Sequence, residues 1–231
     1  MIVFTTINIY GNFEAQNEAL LSWCDKYKVY SVNPSDEIEI GSNLYPFIEF
    51  IPTNDYYEYN GKKLVRLNSI LDSIKEIDTN YCAIVNSDII LDSSLKFKDI
   101  DNAIIIATRW EIDGNKLYPF NNGYDLFIFK KSKINLFYNK NYVIGMPWWD
   151  FWLPLIALKA NMSVYHIKNK VISHRTHETN YDSEKWVEFG EFLYKDIIVN
   201  LMSRAVDVDI FSFCNTVKNY IEYKQKNIKI K

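Results

Sequence analysis

Cysteine is scarce and placed for nothing catalytic. Cys24, Cys82 and Cys214 make an odd number with no pair at redox or metal-ligand spacing, and Cys82 lies in an apolar run. A disulfide framework is excluded, and reduced thiols in a reducing compartment are the expectation. The first residues, Met1-Ile2-Val3-Phe4-Thr5, lack the basic start and apolar stretch of a secretory leader. No run is long and apolar enough for a membrane span, so a soluble, cytoplasmic protein is expected. Charge of one sign is also lacking. With 26 basic and 29 acidic residues mixed along the chain, the net charge is -3, which leaves no electrostatic footprint for nucleic acid. The Lys- and Asn-rich end from Lys218 to Lys231 is basic enough for peripheral contact with an anionic membrane, although a solvated helix end or frayed tail explains it as well. Glycine is sparse where a phosphate cradle would need it: Thr6-Ile7-Asn8-Ile9-Tyr10-Gly11 offers one. No internal repeat or low-complexity linker divides the 231 residues. One domain spanning 1–231 is therefore expected, large enough to bury roughly 70% of its unfolded surface.

What is present is an alternation of strand-like and helix-like periods. Ile2 to Ile9 is β-rich, Glu14 to Lys26 helical, and Val29 to Val32 and Phe47 to Ile51 are strand-like. Lys62 to Ile77 is the clearest helix, with Leu64, Leu67, Leu71 and Ile74 at three- and four-residue intervals and Ile70 and Ile77 widening the stripe. Tyr81 to Leu91 and Ala103 to Ala107 read as buried strands. A short strand at Leu126 to Phe129, a helix from about Asp150, strands around Val164 to Ser173 and helices over Ser183 to Arg204 and Ile210 to Lys226 follow. The pattern predicts an α/β fold with a doubly wound, mostly parallel sheet, helices on both faces and a helical C-terminal extension from about residue 183. Aromatics are abundant, with 17 Tyr, 14 Phe and 6 Trp, but most aromatics fill cores, so this alone does not indicate a sugar-stacking surface.

The chemically informative stretch is Ile84-Val85-Asn86-Ser87-Asp88-Ile89-Ile90-Leu91, an apolar run broken by Asn-Ser-Asp. A carboxylate there is costly unless it is paired or binds a metal, and open α/β sheets keep their ligands at strand ends. In extended chain Asn86 and Asp88 face one side, which would offer two oxygen ligands to Mg²⁺ or Mn²⁺; a plain strand-to-turn step is the competing reading. Other polar residues fall at strand ends: Thr5 and Thr6 after the first, Asn33 and Asp36 after the second. Arg66 and Asn68 border the apolar stripe of the helix before the acidic strand. Arg66 has the forked donors that suit a phosphate, although an Arg on a helix flank is ordinarily a solvated charge.

The run Lys62-Lys63-Leu64-Val65-Arg66-Leu67-Asn68-Ser69-Ile70, followed by Tyr81 to Leu91, resembles the helix and metal-binding strand of GT-A-fold glycosyltransferases. Four later stretches resemble one branch of these enzymes in the same order. They are Arg109-Trp110-Glu111-Ile112-Asp113, Gly123-Tyr124-Asp125-Leu126-Phe127-Ile128-Phe129, Ile144-Gly145-Met146-Pro147-Trp148-Trp149-Asp150 and Val171-Ile172-Ser173-His174-Arg175-Thr176-His177. The resemblance covers roughly residues 1 to 180 and departs from the usual Asp-x-Asp at its first acid, where this chain has Asn86.

The resemblance implies a nucleoside-diphosphate sugar as donor, by default a UDP-sugar, a saccharide or similar hydroxyl acceptor, and Mn²⁺ or Mg²⁺ as cofactor. It implies Asp88 as first metal ligand and His174 as second. His177, three residues on, points to the opposite face in extended chain, and only a turn after Ser173 admits both. The positions matching Thr5, Thr6, Asn33, Arg66, Asn68 and Asn86 would serve the donor. Asp150 matches the acceptor-side general base of inverting enzymes, and is also placed to be a helix N-cap. Trp148 and Trp149 beside it could offer a sugar-stacking face or simply be core. Asp125 is a candidate for a sugar-hydroxyl contact or an alternative catalytic acid, or a turn residue after Gly123. A sugar nucleotidyltransferase and a non-catalytic carbohydrate-binding protein are the rival functions.

Overall fold

In the computed structural model all residues are described except 94, 98–99, 121, 178–181, 202–208 and 229–231, and the side chains of 198–201 and 210. In chain order the elements are β1 (Ile2–Thr5), α1 (Phe13–Cys24), β2 (Lys28–Pro34), α2 (Ile38–Leu44), β3 (Glu49–Thr53), β4 (Tyr56–Tyr59), β5 (Lys62–Val65), α3 (Leu67–Glu76), β6 (Tyr81–Val85), β7 (Ile89–Leu91), β8 (Ala103–Ala107), β9 (Trp110–Asp113), β10 (Lys116–Pro119), β11 (Leu126–Lys130), α4 (Trp149–Lys159), β12 (Ser163–Ile167), β13 (Ile172–Arg175), α5 (Ser183–Leu201), α6 (Ile210–Lys224) and β14 (Lys226–Ile228).

Eight strands form the central sheet in the order β14-β12-β8-β11-β6-β1-β2-β3. Every neighbouring pair is parallel except the two made by β11, which runs antiparallel between β6 and β8. The sheet is thus mostly parallel and doubly wound, as expected. Successive strand residues point to opposite faces, and both faces are covered, so the central strands are continuously apolar. Phe4, Cys82, Ile84, Ile104, Ile106, Phe127 and Phe129 pack on one side with α3, α4 and the C-terminal helices. Val3, Ala83, Val85, Ile105, Leu126 and Ile128 pack on the other with Leu20 and Trp23 of α1.

Several expected boundaries moved. The helix read over Lys62 to Ile77 is a strand followed by a shorter helix: β5 pairs antiparallel with β4, and α3 begins only at Leu67. Asn60 and Gly61, both at positive φ, make the hairpin turn that separates them. Arg66 is consequently the N-cap of α3, not a flank residue. The strand read over Tyr81 to Leu91 is two strands in two sheets. β6 ends at Val85, a turn covers Asn86 to Asp88, and β7 joins a second, four-stranded sheet of order β10-β9-β13-β7. The basic C-terminal segment is folded as far as Ile228: α6 packs on α4 and α5, and β14 pairs parallel with β12. The last part of the helix expected to reach Arg204 lies outside the described residues. Among the described residues no helix is long and apolar enough to cross a membrane.

Candidate metal and acceptor site

The second sheet assembles the site. β13 lies between β7 and β9, and its register sets His174 opposite Ile89, the neighbour of Asp88, on one side and opposite Glu111 on the other. His174 Nε2 is 3.5 Å from Asp88 Oδ2, and its Nδ1 is 2.8 Å from Glu111 Oε2. β13 runs on to Arg175, so there is no turn after Ser173, and the Thr176 N–H still donates to the Ile112 carbonyl of β9 at 3.1 Å. His177, two residues past the strand, reaches the same acid, Nε2 to Asp88 Oδ2 at 3.1 Å. The opposite face of β13 is pinned by Arg175, which donates to both carboxylate oxygens of Glu18 on α1 at 2.6 and 2.8 Å.

Asp88, His174 and His177 each offer a ligand atom within 4.8 Å of the others. One hard oxygen and two imidazole nitrogens suit Mn²⁺ better than Mg²⁺, which prefers an all-oxygen shell. Glu111 fixes the tautomer and orientation of His174 from behind, as a carboxylate commonly does for a metal-bound histidine. Burial opposes the charge on Asp88, but hydrogen bonds and charges from both histidines outweigh it and hold the carboxyl well below its ordinary range. The donor set fits a divalent cation.

Behind Asp88 and the two histidines runs a second layer of contacts. Arg109 donates from Nε to Glu111 and from Nη1 to Asp125 Oδ1, each at 2.7 Å, and lies over the Phe120 ring. Asn86 Nδ2 donates to the same Asp125 oxygen at 3.3 Å. Asp125 Oδ2 is buried with no partner among the described residues. Burial raises the Asp125 pKa more than Arg109 lowers it. Arg109 and Glu111 received no role from the sequence; their function is visible only once β9 is laid beside β13.

Asp150 sits in the first turn of α4, two residues past the N-cap. The cap is Trp148, held at φ 77° by packing on Phe151 and Trp186 and by donating its indole N–H to the Trp186 carbonyl at 2.8 Å. The N-cap role expected for Asp150 therefore falls to Trp148, and Asp150 Oδ2 instead accepts from the Tyr124 backbone N–H at 3.3 Å. A Cβ on Gly123 would lie 2.6 Å from that oxygen, so a glycine is required there for the acid to keep its place. Burial and the charge of Asp125 push the Asp150 carboxyl up to about 7. Pro154, one turn on, has no N–H to give the Asp150 carbonyl its helical hydrogen bond. Trp148 and Trp149 are both buried, and Trp149 packs on Phe127, so neither presents the exposed face that sugar stacking needs.

The remaining expected donor residues are spread along the strand ends. Thr5 is buried, its Oγ1 without a partner among the described residues, and Thr6 follows it, partly exposed. Asn33 lies inside β2, and its amide accepts from Ile7 N and Ser31 Oγ and donates to Ile7 O and Glu37. It therefore holds the loop after β1. Asp36 is paired with Lys63. Arg66 and Asn68 are not brought to Asp88. Arg66 pairs with Asp55 at 3.1 Å and donates to the Lys140 carbonyl at 2.9 Å, while Asn68 Oδ1 accepts from Asn139 N at 2.9 Å.

No protein-family model matches the chain, and no curated protein matches its sequence. Solved structures do match. S. aureus TarS 1–349 in complex with UDP-GlcNAc superposes with a TM-score of 0.50 at 12% identity over 96% of this chain and 71% of that one. The same protein in complex with UDP gives 0.54 at 9% identity over the same shares. The inositol-1-phosphate CTP transferase of T. maritima gives 0.48 at 12% identity over 85% of this chain and 96% of that one. With the mixed sheet described above, the fold is GT-A-like.

Proposed function

We propose that this chain is a metal-dependent glycosyltransferase that moves a sugar from a nucleoside-diphosphate sugar, with UDP-sugar the donor the fold favours, to a saccharide or other hydroxyl acceptor. The observation that carries this reading is the gathering of Asp88, His174 and His177 at one end of the sheet, with two further carboxylates behind them: the charge of Asp88 raises the titration of buried Asp125, and that of Asp125 raises half-buried Asp150. The UDP and UDP-GlcNAc bound to the superposed TarS structures support a nucleotide sugar on this fold.

In this reading Asp88 and the two histidines hold Mn²⁺. When bound, the cation supplies charge to offset the developing diphosphate leaving group without a proton. Glu111 and Arg109 keep His174 and Asp125 oriented, so the site need not reorganise as charge moves. Asp125 offers its unpartnered Oδ2 to a sugar hydroxyl. Asp150 takes the proton of the acceptor hydroxyl, a role its raised pKa suits because a general base works best when it titrates near the operating pH. Thr5 and Thr6 line the donor side, and Asn33 shapes it through the loop at Ile7. The whole of 1–231 acts as a single catalytic unit.

The test is release of UDP from UDP-sugars with Mn²⁺ and with EDTA. Mn²⁺-dependent UDP release is the expected result; formation of pyrophosphate from a nucleoside triphosphate and a sugar phosphate would replace this reading with nucleotidyl transfer. Sugar binding without turnover would reduce the protein to a carbohydrate-binding module.

A further inference from the structure

Beside the carboxylates lies a cavity of about 340 Å³ that the reaction as described leaves unused. Its walls adjoin the catalytic layer on three elements: Thr108 precedes Arg109, Gly123 and Tyr124 precede Asp125, and Phe151 follows Asp150. The far wall comes from the C-terminal segment, through Lys218, Glu222, Gln225 and Asn227, and from His166 and Lys168 at the end of β12. The cavity is thus closed by α6 and β14, the elements that continue past the region of family resemblance.

Three observations define what fits it. Tyr124 and Phe151 stand edge to face at 5.7 Å and are both buried, so they leave little ring surface open to the cavity and recognition falls to the polar side chains that line it. His166 is 7% exposed, approaches Thr108 Oγ1 at 3.4 Å through Nε2, and has no partner for Nδ1 among the described residues. Burial and the nearby Lys168 push its pKa down to about 4, so the ring is neutral at physiological pH. A neutral imidazole presents either a donor or an acceptor according to tautomer, and a hydroxyl group satisfies both. Finally, Lys168 and Lys218 are in salt-bridge contact with no carboxylate among the described residues. Lys218 donates to the neutral side-chain oxygen of Asn122 at 3.2 Å. Glu222 is the one acid in the wall, exposed and near the Tyr124 hydroxyl, which leaves an excess of one positive charge.

We propose that this cavity is an acceptor subsite for an anionic saccharide residue, its hydroxyls toward His166 and Glu222, and its carboxylate or phosphate on Lys168 and Lys218. The inference rests on the glycosyltransferase reading for the word acceptor; the binding itself does not. Placed there, the sugar lies next to the Tyr124 N–H that positions Asp150, the base assigned to the acceptor hydroxyl.

The test is an NMR titration of the full chain with glucuronate, glucose 6-phosphate, glucose and inorganic phosphate, with UDP plus Mn²⁺ titrated separately. One or both charged sugars should bind at least ~10-fold more tightly than glucose, the scale of charge-assisted hydrogen bonds, with perturbed resonances at Tyr124, His166 and Asn227. Whichever of glucuronate and glucose 6-phosphate wins identifies the anionic group. The double variant Lys168→Ala/Lys218→Ala, whose side chains bury little, should cut the preference for charge to less than ~3-fold. Glucose binding as tightly as the charged sugars, phosphate alone matching glucose 6-phosphate, or an unchanged preference in the double variant overturns the subsite. Charged-sugar binding in a protein that ignores UDP with Mn²⁺ overturns the transferase reading instead and leaves the cavity a saccharide site.

Discussion

Asp150 concentrates the chemistry at the scale of one residue. Its carboxyl titrates near 7 because burial and the Asp125 charge disfavour ionisation, and as a base it works only when ionised. Transfer by the wild type should therefore rise with pH along a limb centred near 7. Asp150→Asn should lower transfer at least ~100-fold, the usual scale for a general base, while UDP binding with Mn²⁺ persists. The same shift has a stability consequence of opposite sign. A carboxyl whose pKa is about 4 unfolded and raised to about 7 when folded costs the fold stability as it ionises, and the loss accrues between about pH 4 and pH 7 and levels off above. In metal-free protein, urea melts should show the Asn variant gaining on wild type between about pH 4 and pH 7. A constant difference across that range would remove the raised pKa. Glu111 offers a second residue-level test, since it touches His174 and is not one of the three candidate ligands. Glu111→Gln should weaken Mn²⁺ binding by ~10- to 100-fold, as loss of a partner behind a metal ligand commonly does; calorimetry with Mn²⁺ reads it directly, and unaltered affinity would show that the carboxylate is only packing.

Arg66 is best understood at the scale of elements: its backbone links β5 to α3 at the N-cap position, and its side chain reaches Asp55 and the Lys140 carbonyl. Arg66→Ala should cost about 1 kcal/mol in urea unfolding, the sum expected of a partly exposed ion pair and one hydrogen bond, with UDP affinity within a factor of about two. A weaker donor with unaltered stability would return Arg66 to the nucleotide. The stripe Leu67, Leu71, Ile74 was legible as a helix because one face of α3 is buried. Leu64 happened to continue its spacing, which extended the expected helix into β5. The correcting signal was local: Asn60-Gly61 between Tyr59 and Lys62 is a hairpin turn dipeptide, and Gly114 at φ 56° marks the turn between β9 and β10 likewise. For the site, Asp88 stood out as an acid breaking an apolar run, whereas His174 and His177 were singled out by the family resemblance. Arg109 and Glu111 could not be picked out, since charged residues on a short strand look solvated until the register of β9 on β13 puts them behind His174. Trp148 and Trp149 were ambiguous for a related reason: aromatic residues beside an acid carry no mark of whether their faces are covered.

Across the whole molecule, the candidate metal site depends on how two sheets meet. β6 belongs to the eight-stranded sheet and β7 to the four-stranded one, and the Asn86–Asp88 turn is the step between them. Asp88 comes from that turn and both histidines from the end of β13 and beyond, so a cation bound by all three clamps the small sheet to the step where it leaves the large one. Binding confined to the folded state stabilises by RT ln(1 + [L]/Kd), about 2.7 kcal/mol at a hundredfold excess over Kd. For a chain of this length that is roughly 5–10 °C of melting temperature. UDP with Mn²⁺ should therefore raise the melting temperature by about that amount, and EDTA should remove most of the rise. Asp88→Asn keeps the side-chain shape and the hydrogen bonds available to the histidines but removes the charge. Its unliganded melting temperature should lie within ~3 °C of wild type, because a partly exposed ion pair contributes little to stability, while its shift with UDP and Mn²⁺ falls below ~2 °C. A full shift in this variant would move the cation away from Asp88. A full shift in wild type that survives EDTA would show that the nucleotide binds without the metal and that the histidine cluster serves the fold alone.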